Sequence, residues 1–107
     1  MKTLNLYYVY DKVGETTVTS VIPASSHLTA ALGFRNAYIT NKENKLNYKN
    51  LKLKCCGSLD IQFNGELRQS ETFPDFSLDG GEVIEYIRDQ INEKGLDDGF
   101  LDDEEET

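Results

Sequence analysis

Apolar and polar residues alternate from the start of the chain. Over 3–10, TLNLYYVY, one face carries Leu4, Leu6, Tyr8 and Tyr10 and the other Thr3, Asn5, Tyr7 and Val9, the two-residue period of a β-strand. The leucine-bearing face is expected to be the core side. Asp11-Lys12-Val13-Gly14 reads as a turn. Residues 16–22, TTVTSVI, are β-branched almost throughout and read as a second strand, so the pair predicts an antiparallel hairpin that Pro23 ends. Ser25 or Ser26 can cap a helix. Leu28, Ala31, Leu32, Ala37, Tyr38 and Ile39 then recur near helical spacing, predicting a helix over 26–38 that Gly33 weakens. The polar stretch 40–50, TNKENKLNYKN, reads as a surface loop.

Alternation resumes at LKLKCC, 51–56, where Leu51, Leu53 and Cys55 oppose Lys52, Lys54 and Cys56. Gly57 marks a bulge or bend, and LDIQF places Leu59, Ile61 and Phe63 on one face. Asn64-Gly65 is a strong two-residue hairpin signal, returning the chain as ELRQS. Asp79 with Glu82 three residues on resembles a capping box. Val83, Ile84, Ile87 and Ile91 then form one apolar helical stripe, expected to be buried against the sheet, and Gly95 stops the helix. The order is ββαββα. It predicts an α+β protein with a mainly antiparallel sheet of about four strands and two helices on one face.

Length limits this to one domain, over 1–96, with 97–107 as an appended tail. The 38% hydrophobic content is enough for a core and excludes wholesale disorder. No apolar run reaches the roughly 20 residues of a membrane span, so no membrane partner is expected. The N-terminus alternates like a strand and lacks the middle and cleavage site of a signal peptide, which suggests a cytoplasmic protein. Cys55 and Cys56 are adjacent; a disulfide between neighbours is strained, and the only histidine, His27, with no CxxC, argues against zinc. Two strand thiols, one facing in and one out, is the expectation. Net charge is −8 but unevenly placed: 1–96 holds eleven bases and twelve acids, whereas 97–107, DDGFLDDEEET, holds seven acids and no base. The body is nearly neutral, which argues against a DNA mimic.

Catalytic signals are scarce. A single histidine beside serines at a helix start is more often a cap or surface residue than a triad member. Glycine loops for nucleotides are absent, so neither a cofactor nor enzymatic activity is expected. The stronger local signal is basic. Arg35, Lys42, Lys45, Lys49, Lys52 and Lys54 occur with one acid, Glu43, and with Tyr38 and Tyr48 among them. Lysines beside aromatic rings suit non-specific single-strand binding, cations following phosphates while a ring, Tyr48 here, stacks on a base. The plain alternative is a solvated loop and a lysine-protected strand edge. The tail is either a solubilising end, expected to be flexible, or a functional segment. In the second case Asp102, Asp103, Glu104, Glu105 and Glu106 compete for the basic patch, or Phe100 docks on a partner.

The ordered stretches YYVYDKVG, IPASSHLTAALGFRN, CCGSLDIQFNGEL, FPDF and DGGEVI, with Tyr10-Asp11, Pro23, Ala31, Arg35, Gly57, Asp60, Gly65, Pro74 and Gly80, resemble the small nonstructural protein of gokushovirus-type phages, single-stranded DNA phages of the Microviridae. The resemblance spans about residues 7–87. It departs at Ala24 and Ser25-Ser26-His27, where the family usually has an aromatic and an acidic or amide pair. It implies a viral protein in the host cytoplasm, acting in single-strand synthesis or packaging, and supplies no catalytic residue. The expected function is weak, sequence-tolerant binding of single-stranded DNA. The alternatives are a protein–protein adaptor or scaffold on a viral or host protein, or a host-factor inhibitor. Because strand one has apolar residues on both faces, with Tyr7 and Val9 expected outward and Val18 or Val21 outward on strand two, a homodimer is also expected.

Overall fold

The structure, a computed structural model, describes residues 2–94. Two long antiparallel strands, β1 (Lys2–Asp11) and β4 (Leu51–Ile61), pair along their whole length and form the spine. Short strands complete the sheet. β2 (Thr16–Thr17) and β3 (Ile22–Ala24) lie on β1, while β5 (Leu67–Gln69) and β6 (Ser77–Asp79) lie on β4. Helices α1 (His27–Phe34) and α2 (Val83–Lys94) pack together on one face. The α+β class, the antiparallel sheet and the two helices agree with the sequence reading; the strand count and order do not.

The differences have identifiable causes. The predicted second strand is two short ones, interrupted at 18–21, and Pro23 sits inside β3 rather than ending it. An edge strand tolerates proline because the missing amide faces outward. β6 was not expected. It is only three residues long, too short for a period to show. Asn64-Gly65 is not the centre of a two-residue turn. Gly65 donates to the Gln62 carbonyl, the Gln62 amide donates to the Glu66 carbonyl, and Gly65 has φ 86°. This is a three-residue loop whose left-handed position glycine fills without strain, and it places Phe63 on the tip.

The larger correction concerns which face of β1 is inside. Tyr7 and Val9, not the leucines, are fully buried. On β4 the expected Leu51, Leu53 and Cys55 are buried, and the core continues through Leu28, Ala31 and Phe34 of α1 and Val83, Ile87 and Ile91 of α2. Ile84, expected with them, is only half-buried, because it turns away from the i, i+4, i+8 row. Each fully buried α2 side chain contributes about 1.5–3 kcal/mol. A bulge explains the rest. Leu6 pairs with Gly57 but Tyr7 with Cys55, so Cys56 is an extra residue. Beyond it the parity of β4 reverses. Ser58 turns inward and is buried, while Leu59 and Ile61 go to the outer face beside Leu4 and Leu6.

Local chemistry secures the helix ends. The Thr29 amide donates to Ser26 Oγ at 3.1 Å, the expected cap. The chain leaves α1 through a π turn, Arg35–Ile39, closed by Thr40 N donating to the Arg35 carbonyl at 2.9 Å. The capping box at Asp79 does not form. A 3₁₀ turn, Gly80–Glu82, precedes α2, and Asp79 pairs instead with Lys12 at 3.2 Å. Gly80 lies against the Tyr48 carbonyl so closely that a Cβ there would overlap it. This contact fixes the turn Tyr48–Asn50, which opens β4, onto the start of α2. The expected helix stop at Gly95 and the tail 97–107, with Phe100, Asp102, Asp103, Glu104, Glu105 and Glu106, lie outside the described residues.

Candidate functional site

Both helices cover the face of the sheet that carries Tyr7, Val9, Leu53 and Cys55. The buried core takes no residue from the opposite face. Its content follows from register. On β1 it carries Lys2, Leu4, Leu6, Tyr8 and Tyr10; on β4, Lys52, Lys54, Leu59 and Ile61. The face has two halves. Toward the end of β1, Tyr8 stands directly opposite Lys54 and Tyr10 directly opposite Lys52. Toward its start, Leu4 faces Leu59, and Ile61 faces Leu67 of β5, which is 61% exposed. The bulge at Cys56 lies between the halves and creates the apolar one.

The Tyr–Lys half has defined spacing. Directly opposed residues in an antiparallel pair bring their Cβ atoms within about 5 Å, and outward positions two apart on a strand are about 7 Å apart. Two half-buried rings therefore stand in a row beside two ammonium groups. Lys12, one residue past β1, extends the row; its Nζ is 3.2 Å from Asp79 Oδ1, a surface pair worth about 0–1 kcal/mol. On α2 and the turn before it Glu82, Glu85, Asp89 and Glu93 are exposed, with Arg88 exposed among them.

The seven residues singled out as a nucleic-acid site do not all meet. Lys52 and Lys54 share the open face, as expected. Arg35 is 5% exposed, and its Nε and Nη2 donate to Asn36 Oδ1, so it is not a surface cation. Tyr48 is half-buried and packs against the core, which occupies the ring proposed for stacking. Lys49 lies beside Gly81 at the start of α2 rather than on the open face. Lys42 and Lys45 are exposed in the segment leading to the Tyr–Lys end of β4. Tyr8, Tyr10 and Lys12 were missed. The sequence holds no signal that separates them: both faces of β1 are apolar, and a tyrosine, Tyr7, is itself fully buried on the covered face.

A second group of polar residues lies on the helix side. Ser58 Oγ donates to Asn5 Oδ1 at 2.7 Å, Asn5 Nδ2 donates to the Tyr7 hydroxyl at 3.2 Å, and that oxygen is 2.6 Å from His27 Nδ1. The His27 ring stacks on Phe76, centroids 4.1 Å apart. His27 is thus built into the packing and is neither the cap nor a surface residue. Burial raises the Tyr7 pKa first, with a lowering hydrogen bond from Asn5 second. The row satisfies the polar groups that the bulge turns inward. Ser58 and His27 are at its two ends, so it does not form a serine–histidine pair.

Cys55 is buried and Cys56 exposed, one thiol in and one out as expected. Among the described residues, no group of three His, Cys, Asp or Glu side chains could hold a metal ion, and no helix is long and apolar enough to cross a membrane. Compared with family models, curated proteins and solved structures, the chain matches none.

Proposed function

We propose that this chain binds single-stranded DNA through the open face of its sheet, weakly, with little sequence preference and without catalysing a reaction. The observation that carries the reading is the pairing of Tyr8 with Lys54 and Tyr10 with Lys52 on the face opposite the buried core. Sequence-tolerant single-strand binding needs rings to stack on bases and cations to follow phosphates, and this face offers both. Lys42 and Lys45 are exposed in the segment that leads into that end of β4. The resemblance to the gokushovirus nonstructural protein fits a role in phage single-strand synthesis or packaging in the host cytoplasm. The acidic tail then acts as a tethered competitor for the same lysines, and removing 97–107 raises affinity several-fold at low salt and less at high salt.

The other half of the face favours a second reading, an adaptor that docks a viral or host protein or a second copy of itself. Leu4, Leu6, Leu59, Ile61 and Leu67 form an apolar patch, and Phe63 on the neighbouring hairpin tip is 96% exposed. The homodimer idea therefore survives with a different surface: Tyr7 and Val9 are core, and the leucines are outside.

One titration separates the readings. A labelled oligothymidylate is followed by fluorescence anisotropy across salt concentrations, with wild type, Tyr8→Ala and Tyr10→Ala. Binding that weakens steeply with salt, and loses about 1–3 kcal/mol with each alanine, supports the DNA reading. No binding at low salt, together with a concentration-dependent dimer in sedimentation, overturns it in favour of docking.

A further inference from the structure

The sheet ends on one side at β5, and no described strand lies beyond it. The bonds that β5 makes to β4 fix which of its backbone groups face outward. Ser70 N donates to the Ser58 carbonyl at 2.9 Å, and Gln62 N to the Glu66 carbonyl at 2.8 Å. Asp60 pairs with Arg68 midway between them. Bonded and non-bonded pairs alternate along an antiparallel ladder, so Glu66, Arg68 and Ser70 aim their amides and carbonyls at β4. Leu67 and Gln69 aim theirs away from the sheet. All three residues of β5 are exposed, Leu67 at 61%.

Such an edge is a template for another strand, and charged side chains normally discourage the pairing. Here the two charges differ in sign and flank Leu67: Glu66 on one side, Arg68 on the other. Within the chain they hold each other loosely, Arg68 Nη2 lying 4.0 Å from Glu66 Oε2 with both side chains exposed. An antiparallel copy of β5 presents the same charges in reverse order. Its outward groups can meet those of the first copy about a two-fold axis at Leu67, Arg68 or Gln69. An axis at Arg68 sets two guanidinium groups directly opposite, which is repulsive. An axis at Gln69 sets Leu67 opposite Glu71 and pairs no opposite charges. An axis at Leu67 sets each Glu66 opposite Arg68 of the other copy, and leucine opposite leucine.

We propose that a second copy of this chain pairs antiparallel on the β5 edge, in the register centred on Leu67. Across the joint, the helix side then carries Asp60, Arg68 and Glu66 of the second copy in a row of alternating sign. The other side carries Ile61 and Leu67 of one copy beside Leu67 and Ile61 of the other. The two sheets become one, with the apolar halves meeting in the middle and the Tyr–Lys halves at the ends. The shared ladder is short, so the association is weak and concentration-dependent. It gives the docking reading a definite occupant and is independent of DNA binding.

The test is sedimentation equilibrium of the full chain without nucleic acid, up to about 1 mM. It compares wild type, Arg68→Glu, Glu66→Arg and an equimolar mixture of the two variants. Wild type should dimerise reversibly, with concentration-dependent amide shifts in NMR centred on Leu67 and Gln69. Each variant sets like charges opposite each other twice and should weaken the dimer about tenfold or more. In the mixture every Glu meets an Arg, so dimerisation should return to the wild-type level or above it. The loose pair within one chain cannot explain that rescue, because neither variant retains it. Both side chains are exposed, so each variant should melt near wild type. A wild type that stays monomeric over the whole range, a dimer that either variant leaves unchanged, or a mixture that stays monomeric would overturn the proposal. Each of these results leaves the DNA reading standing, since no nucleic acid is present.

Discussion

Replacing both outward lysines of β4 by glutamine tests how a polyanion would be held. Lys52 and Lys54 stand opposite Tyr10 and Tyr8, and with Lys2 and Lys12 they make four cations on or beside the open face. On a single strand each phosphate contact adds about −0.7 to the slope of log affinity against log salt. Four contacts set that slope near about −2.8, and Lys52→Gln with Lys54→Gln should bring it near about −1.4. At about 50 mM salt, each lost contact is then worth close to tenfold, so the double variant should bind about 10–100 times more weakly. Charge reversal to Glu should go further, but it also sets like charge beside Asp79, the β6 neighbour of Lys52, at a cost of about 0.2–1 kcal/mol in stability. The glutamine pair avoids this and should melt within a few degrees of wild type. Anisotropy of a labelled oligonucleotide from about 25 to 200 mM salt reads both slope and affinity. An unchanged slope in the folded glutamine variant would refute the reasoning and move the phosphate contacts elsewhere.

Other outcomes follow from the packing. Gly80→Ala must displace the Tyr48 carbonyl and should cost about 1–3 kcal/mol in urea unfolding, whereas Gly33→Ala, with open space at its Cβ, should gain up to about 1 kcal/mol. Equal effects would contradict the close contact at Gly80. Tyr7→Phe removes one partner each from Asn5 and His27 and should lower stability by about 1–2 kcal/mol, seen as a drop of several degrees in melting temperature. Alkylation of the native protein should modify Cys56 and spare Cys55. The Cys56 thiol is pushed above its ordinary pKa by partial desolvation and then by Cys55, so its labelling should be slow at neutral pH and speed up as pH rises through that higher value. Peptide mapping showing Cys55 labelled first would invert the assigned faces of β4.

The parts of the fold legible in the sequence were those where period and chemistry agree. LKLKCC alternates cleanly, and its assignment of Leu51, Leu53 and Cys55 to the core and Lys52 and Lys54 to the outside is what the structure shows. A serine cap, Ser25 or Ser26 in the sequence and Ser26 in the structure, and the α2 stripe were also legible, save for Ile84. TLNLYYVY was ambiguous because both faces are apolar; the period gives the two sets but not which is covered. The bulge decided the other end. A single extra residue at Cys56 exchanges the faces of everything after it, and Gly57 marked the place without giving the direction. The candidate site inherited both limits. Its lysines on β4 were found, its tyrosines on β1 were assigned to the core, and Arg35 and Tyr48 were chosen by proximity in sequence although the fold buries one and packs the other.

The proposed site for single-stranded DNA is the sheet face opposite the buried core. Amide and aromatic chemical-shift mapping of the full chain, titrated with an oligothymidylate at low salt, reads that face directly. Binding there should give the largest shifts at Tyr8, Tyr10, Lys52 and Lys54, with upfield movement of both tyrosine ring signals from stacking and little change along α2. Shifts confined to the 40–50 segment or to the helices, or no shifts at all, would contradict it.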